Sequence, residues 1–177
     1  MPRSEVNELR EFEPAEILRV LADHDVEFVV IGGMAAALHG ADYVTVDIDV
    51  TPRRTRENLE RLSAALEALD ARIRVVGIPD GVPFSHDGRS LGGAAIWNLR
   101  TRFGDLDLAM EPAGFAEGWD DLHPGVVVVH LGGVPTEVAG LADVITSKAT
   151  ADRAKDRAML PMLRALLARQ RRAARPE

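Results

Sequence analysis

Tyr43-Val44-Thr45-Val46-Asp47-Ile48-Asp49-Val50 is a β-branched run in which apolar and polar residues alternate, the pattern of a strand with one apolar and one polar face. Asp47 and Asp49 stand two residues apart, so their carboxylates point the same way. Upstream, Phe28-Val29-Val30-Ile31 reads as a buried strand ending in Gly32-Gly33, followed by the small-residue helix Met34-Ala35-Ala36-Ala37-Leu38-His39. Strand, Gly-Gly, helix, then a strand with paired aspartates is a layout for holding a metal-bound triphosphate.

Glycines without a Cβ let a polyphosphate approach the backbone, and amides at the following helix N-terminus offer donors and positive potential. Two like-charged carboxylates on one face repel each other until a divalent cation binds between them. Hard oxygen ligands suit Mg²⁺ or Mn²⁺ rather than zinc. A second strand, Gly104-Asp105-Leu106-Asp107-Leu108-Ala109-Met110, again puts two aspartates on one face and two leucines on the other. Asp107 is the candidate third carboxylate. Three carboxylates from adjacent strands would hold two metals, one activating an attacking hydroxyl and the other clamping the triphosphate and its leaving group.

These residues carry a resemblance. Ile31-Gly32-Gly33-Met34-Ala35, through His39-Gly40 to Thr45-Val46-Asp47-Ile48-Asp49, resembles the signature of the nucleotidyltransferase superfamily with the DNA polymerase β-like fold. Within it the chain looks most like the small bacterial proteins around the AbiEii-type toxins of type IV toxin–antitoxin systems. Thr101-Arg102-Phe103-Gly104-Asp105-Leu106-Asp107 resembles the strand bearing that family's third aspartate. Leu141 to Lys148, Arg153-Ala154-Lys155-Asp156 and Leu160-Pro161 resemble its C-terminal helical motif. The likeness covers about residues 15–165.

The resemblance implies an α+β fold, a mixed sheet flanked by helices with a helical C-terminus. It implies metal ligation by Asp47, Asp49 and Asp107, phosphate contact by Gly32 and Gly33, and nucleotide contact by Thr45, Lys148, Lys155 and Asp156. The implied activity is transfer of a nucleoside monophosphate from an NTP, with Mg²⁺ or Mn²⁺. The implied acceptor is an RNA, notably the 3′ end of tRNA, or a protein side chain, and a cognate antitoxin would be the partner. Two positions depart from the pattern: Gly33 stands where many polymerase-β-like enzymes have Ser, and Tyr43 where many relatives have Arg. Ala154 replaces a common Pro, which suits a helix.

With 177 residues, 46% of them hydrophobic, the chain can bury one sizeable core. The expectation is one domain over 1–177, its core at about 14–168 and its basic tail, 169–177, frayed. The absence of Cys excludes a disulfide framework and a thiolate zinc site. A charged start without a long apolar run argues against a signal peptide or membrane span and for a cytoplasmic protein. The net charge of −7 argues against a broadly basic nucleic-acid-coating surface. The charge is uneven: Glu5, Glu8, Glu11, Glu13 and Glu16 load one end, while Arg164, Arg169, Arg171, Arg172 and Arg175 load the other. The basic end could meet RNA or an acidic partner, or simply pair with the acidic helix.

Elsewhere the pattern predicts helices over Pro14–His24 and Arg56–Ala71, strands over Arg72–Gly77 and Ala94–Leu99, and a hairpin joining Gly125–His130 to Val134–Val138. Ile78–Gly93, rich in Gly, Pro, Asp and Ser, reads as a loop, either a lid or a connection. Each singled-out residue also has a plainer reading. A lone Asp-x-Asp is usually a solvated strand face. His39 would end its helix and pack locally, Asp105 would be exposed, Lys148 could pair with Asp152 on a surface, and Trp97, Trp119 and Phe115 would pack in or near the core. Two alternatives to the transferase stay open: a weak or inactive nucleotide- or protein-binding module, suggested by Gly33 and Tyr43, and a transferase acting on a small-molecule antibiotic.

Overall fold

The computed structural model describes residues 11–175; Glu5 and Glu8 of the acidic N-terminal run lie outside them. The strand order is set by which segments have two apolar neighbours to pair with. β1 (Phe28–Ile31) is buried throughout and lies between β2 (Asp47–Pro52), antiparallel, and β8 (Val134–Val138), parallel. β2 pairs in parallel with β6 (Gly104–Ala109), which pairs with β5 (Ile96–Thr101). β3 (Arg72–Val75) and β4 (Ile78–Val82) complete one edge and β7 (Val127–Leu131) the other. The result is one eight-stranded mixed sheet, β4-β3-β5-β6-β2-β1-β8-β7.

Alternation sorts the two central strands by face. Ile48, Val50, Leu106 and Leu108 are fully buried, while Asp47, Asp49, Asp105 and Asp107 occupy the opposite face. The apolar side packs with α1 (Pro14–Asp23) and α3 (Arg56–Ala68), whose Ile17, Leu18, Leu21, Leu62 and Leu66 are fully buried. Thr55 caps α3 by accepting the Asn58 amide hydrogen. α2 (Gly32–Leu38) begins at the first glycine itself and contacts β2 and the first of two C-terminal helices, α6 (Leu141–Ala151) and α7 (Ala154–Ala173). Short helices α4 (Gly88–Leu91) and α5 (Trp119–Leu122) fill connections, α4 with an Asp87–Ser90 capping box.

Four expectations are corrected. Tyr43–Val46 is not part of the aspartate strand, because its pairing with β6 starts at Asp47 and with β1 at Asp49. β-branched residues without a partner strand gain nothing from extension, and Val44 and Val46 are 88% and 75% exposed. Ile78–Gly93 is not a plain loop: Val75 pairs with Ile78 and Ile73 with Val82, with Gly77 at φ +82° closing the hairpin, and α4 follows. Asp105 is half-buried by two arginines rather than exposed. The basic tail continues α7 to Ala173 instead of fraying from Arg169. Trp97, Trp119 and Phe115 pack on the core as expected.

Candidate active site

Register builds the site. In the parallel β2–β6 pair, Asp47 stands opposite Asp105 and Asp49 opposite Asp107; in the antiparallel β1–β2 pair, Asp49 stands opposite Ile31, the residue before Gly32. Gly32 has φ +68°, and a Cβ there would lie 2.4 Å from Asp49 Oδ2, so only glycine lets the chain turn into α2 against this carboxylate. Gly33 is crowded from another side, since its Cβ would lie 2.6 Å from Tyr43 Cε1. The two departures from the nucleotidyltransferase pattern are therefore one packing solution: the Tyr43 ring fills the space a larger residue 33 would need.

A cavity of about 350 Å³ opens over this face, lined by Gly32, Gly33, Asp47, Asp49, Asp107 and Lys148 among others. Thr45 reaches it too, but its hydroxyl lies 2.9 Å from the Asp47 carbonyl and 3.0 Å from Asp47 Oδ1, so it orients the carboxylate. Burial, with repulsion from Asp47 and Asp107, pushes the Asp49 carboxyl up to about 7 against the pull of Lys148 and Lys155. Burial likewise raises Asp107, although Arg74 opposes it. Arg74 Nη2 donates to both Asp107 oxygens at 2.9 and 3.1 Å, and its Nη1 lies 3.0 Å from Asp105 Oδ2. Arg100 holds Asp105 by a fork of 2.9 and 3.2 Å, and these arginine hydrogen bonds outweigh burial to keep Asp105 below the usual carboxylate range.

The cationic wall comes from the C-terminal helices. Lys148 is buried and its Nζ lies 3.3 Å from Asp156 Oδ1, while Arg153 Nε donates to Asp156 Oδ2 at 2.6 Å. Asp156 is fully buried behind these cations and is not among the residues lining the cavity. Its burial works to raise its pKa, but the hydrogen bonds from Arg153 and Lys148 leave it lowered. It positions Lys148 and Arg153 and does not itself face the cavity. Lys155 lines the cavity. Lys148 thus pairs with Asp156, not Asp152, which pairs with Arg157. His39 caps α2 and its Nε2 donates to the Ala139 carbonyl at 2.8 Å. Ser147, Asn98 and Arg153 also line the cavity and were not picked out as site residues from the sequence. Arg153 sits inside a motif whose other members were chosen, and Asn98 is the residue opposite Asp107 across β5–β6.

Among the described residues no group of three His, Asp or Glu side chains is set to hold a metal as it stands; Asp107 is engaged by Arg74. The pair Asp47 and Asp49 nevertheless fits a divalent cation. Both are oxygen donors on one face, and a carboxyl whose pKa burial, and after it the charge of Asp47, raises to about 7 gains from a cation between them.

The fold is of the polymerase β-like nucleotidyltransferase kind. No protein-family model and no curated protein sequence matches the chain. Among solved structures it is similar to TM1012 of Thermotoga maritima, provisionally named a nucleotidyltransferase, with a TM-score of 0.54 and 17% identity over 86% of this chain and 94% of that one. It is similar to the lincosamide antibiotic adenylyltransferase LnuA, at TM-score 0.57 and 13% identity over 89% and 99% of the two chains. The antibiotic-resistance factor ANT(2'')-Ia matches at TM-score 0.51 and 16% identity over 91% and 94%. At these identities the likeness is one of fold.

Proposed function

We propose that the protein is a divalent-cation-dependent nucleotidyltransferase that moves a nucleoside monophosphate from an NTP to a hydroxyl. The observation that carries this is the placing of Asp47, Asp49 and Asp107 in one register beside Gly32-Gly33, with Lys148, Arg153 and Lys155 on the same cavity. Asp47 and Asp49, with Asp107, would hold Mg²⁺ or Mn²⁺, which supplies Lewis-acid polarisation of the phosphoryl oxygens. The Gly32-Gly33 backbone receives phosphate at the start of α2, and Lys148, Arg153 and Lys155 balance its charge. Asp107 takes the proton of the acceptor hydroxyl as its oxygen bonds to the α-phosphorus. The bond from that phosphorus to the β-phosphate bridging oxygen breaks, and pyrophosphate leaves with the electron pair.

The acceptor in this reading is an RNA, with the 3′ end of tRNA foremost, or a protein side chain, in a cytoplasmic AbiEii-like toxin whose antitoxin is the partner. The fold likeness to LnuA and ANT(2'')-Ia favours a second reading, in which the acceptor is an antibiotic hydroxyl. The inactive-module alternative rests on Gly33 and Tyr43, whose shared packing space supplies neither a Ser hydroxyl nor an Arg cation. The test is incubation with each α-labelled NTP, Mg²⁺ or Mn²⁺, and total RNA, cell lysate or an antibiotic panel, alongside Asp47→Asn and Asp107→Asn. Label on one acceptor class that vanishes in both variants supports the transferase and names the acceptor. Metal-dependent nucleotide binding without transfer returns the inactive module, and no nucleotide binding at all overturns the site.

A further inference from the structure

Beyond Asp107 the same sheet face continues into a second groove of about 570 Å³, against the β3–β4 hairpin, lined by Arg74, Ile78, Pro79, Asn98 and Arg100. Asn98 belongs to both hollows, so the groove adjoins the nucleotide cavity on the side of Asp107. Between them lies a balanced quartet of Arg74, Arg100, Asp105 and Asp107. Its members are not equally committed. Asp105 has Arg100 as its own forked partner and Arg74 as a second, whereas the protein cation hydrogen-bonded to Asp107 is Arg74, through a single nitrogen shared by both carboxylate oxygens.

Resting on the nucleotidyltransferase reading, we propose that Arg74 is an exchangeable counter-ion and the phosphate-binding residue of an acceptor groove. Asp107 gives up Arg74 when it turns to a divalent cation shared with Asp47 and Asp49. Arg74 stays anchored to Asp105 Oδ2 through Nη1 and presents its released Nη2 edge to the groove. Arg100 stays committed to Asp105 and the Pro79 carbonyl and feels the charge of Asp80, so it is the released Nη2 edge of Arg74 that selects an acceptor bearing a phosphate near its reacting hydroxyl. In the absence of metal the arginine blocks both its own anion site and the third carboxylate, so acceptor and metal–nucleotide bind in order.

The test compares wild type, Arg74→Gln and Arg74→Lys by Mn²⁺ titration, read by electron paramagnetic resonance with a non-hydrolysable NTP analogue present. Binding of a short oligoribonucleotide and of a hexose phosphate is then measured with and without Mn²⁺. Removing the competing cation should tighten Mn²⁺ binding by Arg74→Gln about tenfold, and Arg74→Lys, which keeps the charge but lacks the guanidinium fork and its reach, should lie between. The phosphate probes should bind wild type better when Mn²⁺ and the analogue are present, and Arg74→Gln should lose that gain. Preference for the oligonucleotide or for the hexose phosphate tells a nucleic-acid phosphate from that of a small metabolite. Unchanged or weaker Mn²⁺ binding by both variants, or a phosphate gain that survives in Arg74→Gln, overturns the proposal while leaving the transferase intact. Failure of wild type to bind Mn²⁺ with the analogue overturns the transferase reading and this proposal with it.

Discussion

Asp49 carries the strongest electrostatic load in the site. Folding raises its pKa from the ordinary carboxylate range to about 7, so the folded protein holds this proton more tightly than the unfolded chain does. The associated stability is present below about pH 4 and lost as pH rises through 7. Melting temperatures of the metal-free protein should therefore decline between pH 5 and 8, and decline less in Asp49→Asn. An equal slope in both would show that the carboxyl is not raised. Because a metal ligand must be deprotonated, Mg²⁺ affinity should climb over the same interval. Gly33→Ser should cost about 1–3 kcal/mol by overpacking against Tyr43, and Tyr43→Ala should recover most of that in the double variant; additive losses in urea unfolding would contradict the shared space. Period-2 alternation puts Asp47, Asp49, Asp105 and Asp107 on one face, but only the Gly32-Gly33 spacing and the family resemblance single out Asp47, Asp49 and Asp107, and Lys148 comes from the C-terminal motif. Arg74 was not, although Arg72-Ile73-Arg74 alternates, because only the pairing of β3 beside β5 brings it to Asp107.

The turn between α6 and α7 is held by a three-charge cluster in which Lys148 and Asp156 are buried and Arg153 is exposed. Removing Asp156 leaves Lys148 buried and unpaired. Asp156→Ala should therefore destabilise the protein by about 3–5 kcal/mol, measured by urea unfolding at pH 7, and should displace the cationic wall of the cavity. Asp156 sits below the usual carboxylate range. Its contribution is thus present above about pH 4 and lost as pH falls through its folded value, opposite in sign to Asp49. A loss under 1 kcal/mol would mean that the helices are fastened elsewhere. Among the elements, β1 and β8 matched their expected bounds, since buried apolar runs between turns have one reading. Val44-Thr45-Val46 misled because propensity has no knowledge of partners, and the β3–β4 hairpin was missed because Gly and Pro in an edge strand look like loop.

For the molecule as a whole, ligand binding and stability are linked. Mg²⁺ with a non-hydrolysable NTP at about 100 times its dissociation constant should add about 2.7 kcal/mol to the free energy of unfolding, and Asp47→Asn should abolish the gain while leaving the apo protein folded. The α+β class followed from the order of patterns along the chain, and the mixed sheet from the family resemblance. Which strands become neighbours did not, because β1 meets β8 and β2 meets β6 across long stretches of sequence.

That last pairing has a consequence in time. β2 and β6 are parallel neighbours with α3, β3, β4, α4 and β5 threaded between them, so the aspartate rungs are assembled only by a late, non-local contact. A ribosome-bound chain that has emerged only as far as β5 already contains Asp47, Asp49 and both glycines, yet lacks Asp107, and its lysines are not yet synthesised. Under the proposed function, chemistry at this face waits for β6 and the C-terminal helices, and a proteolytic fragment ending before β6 should show none.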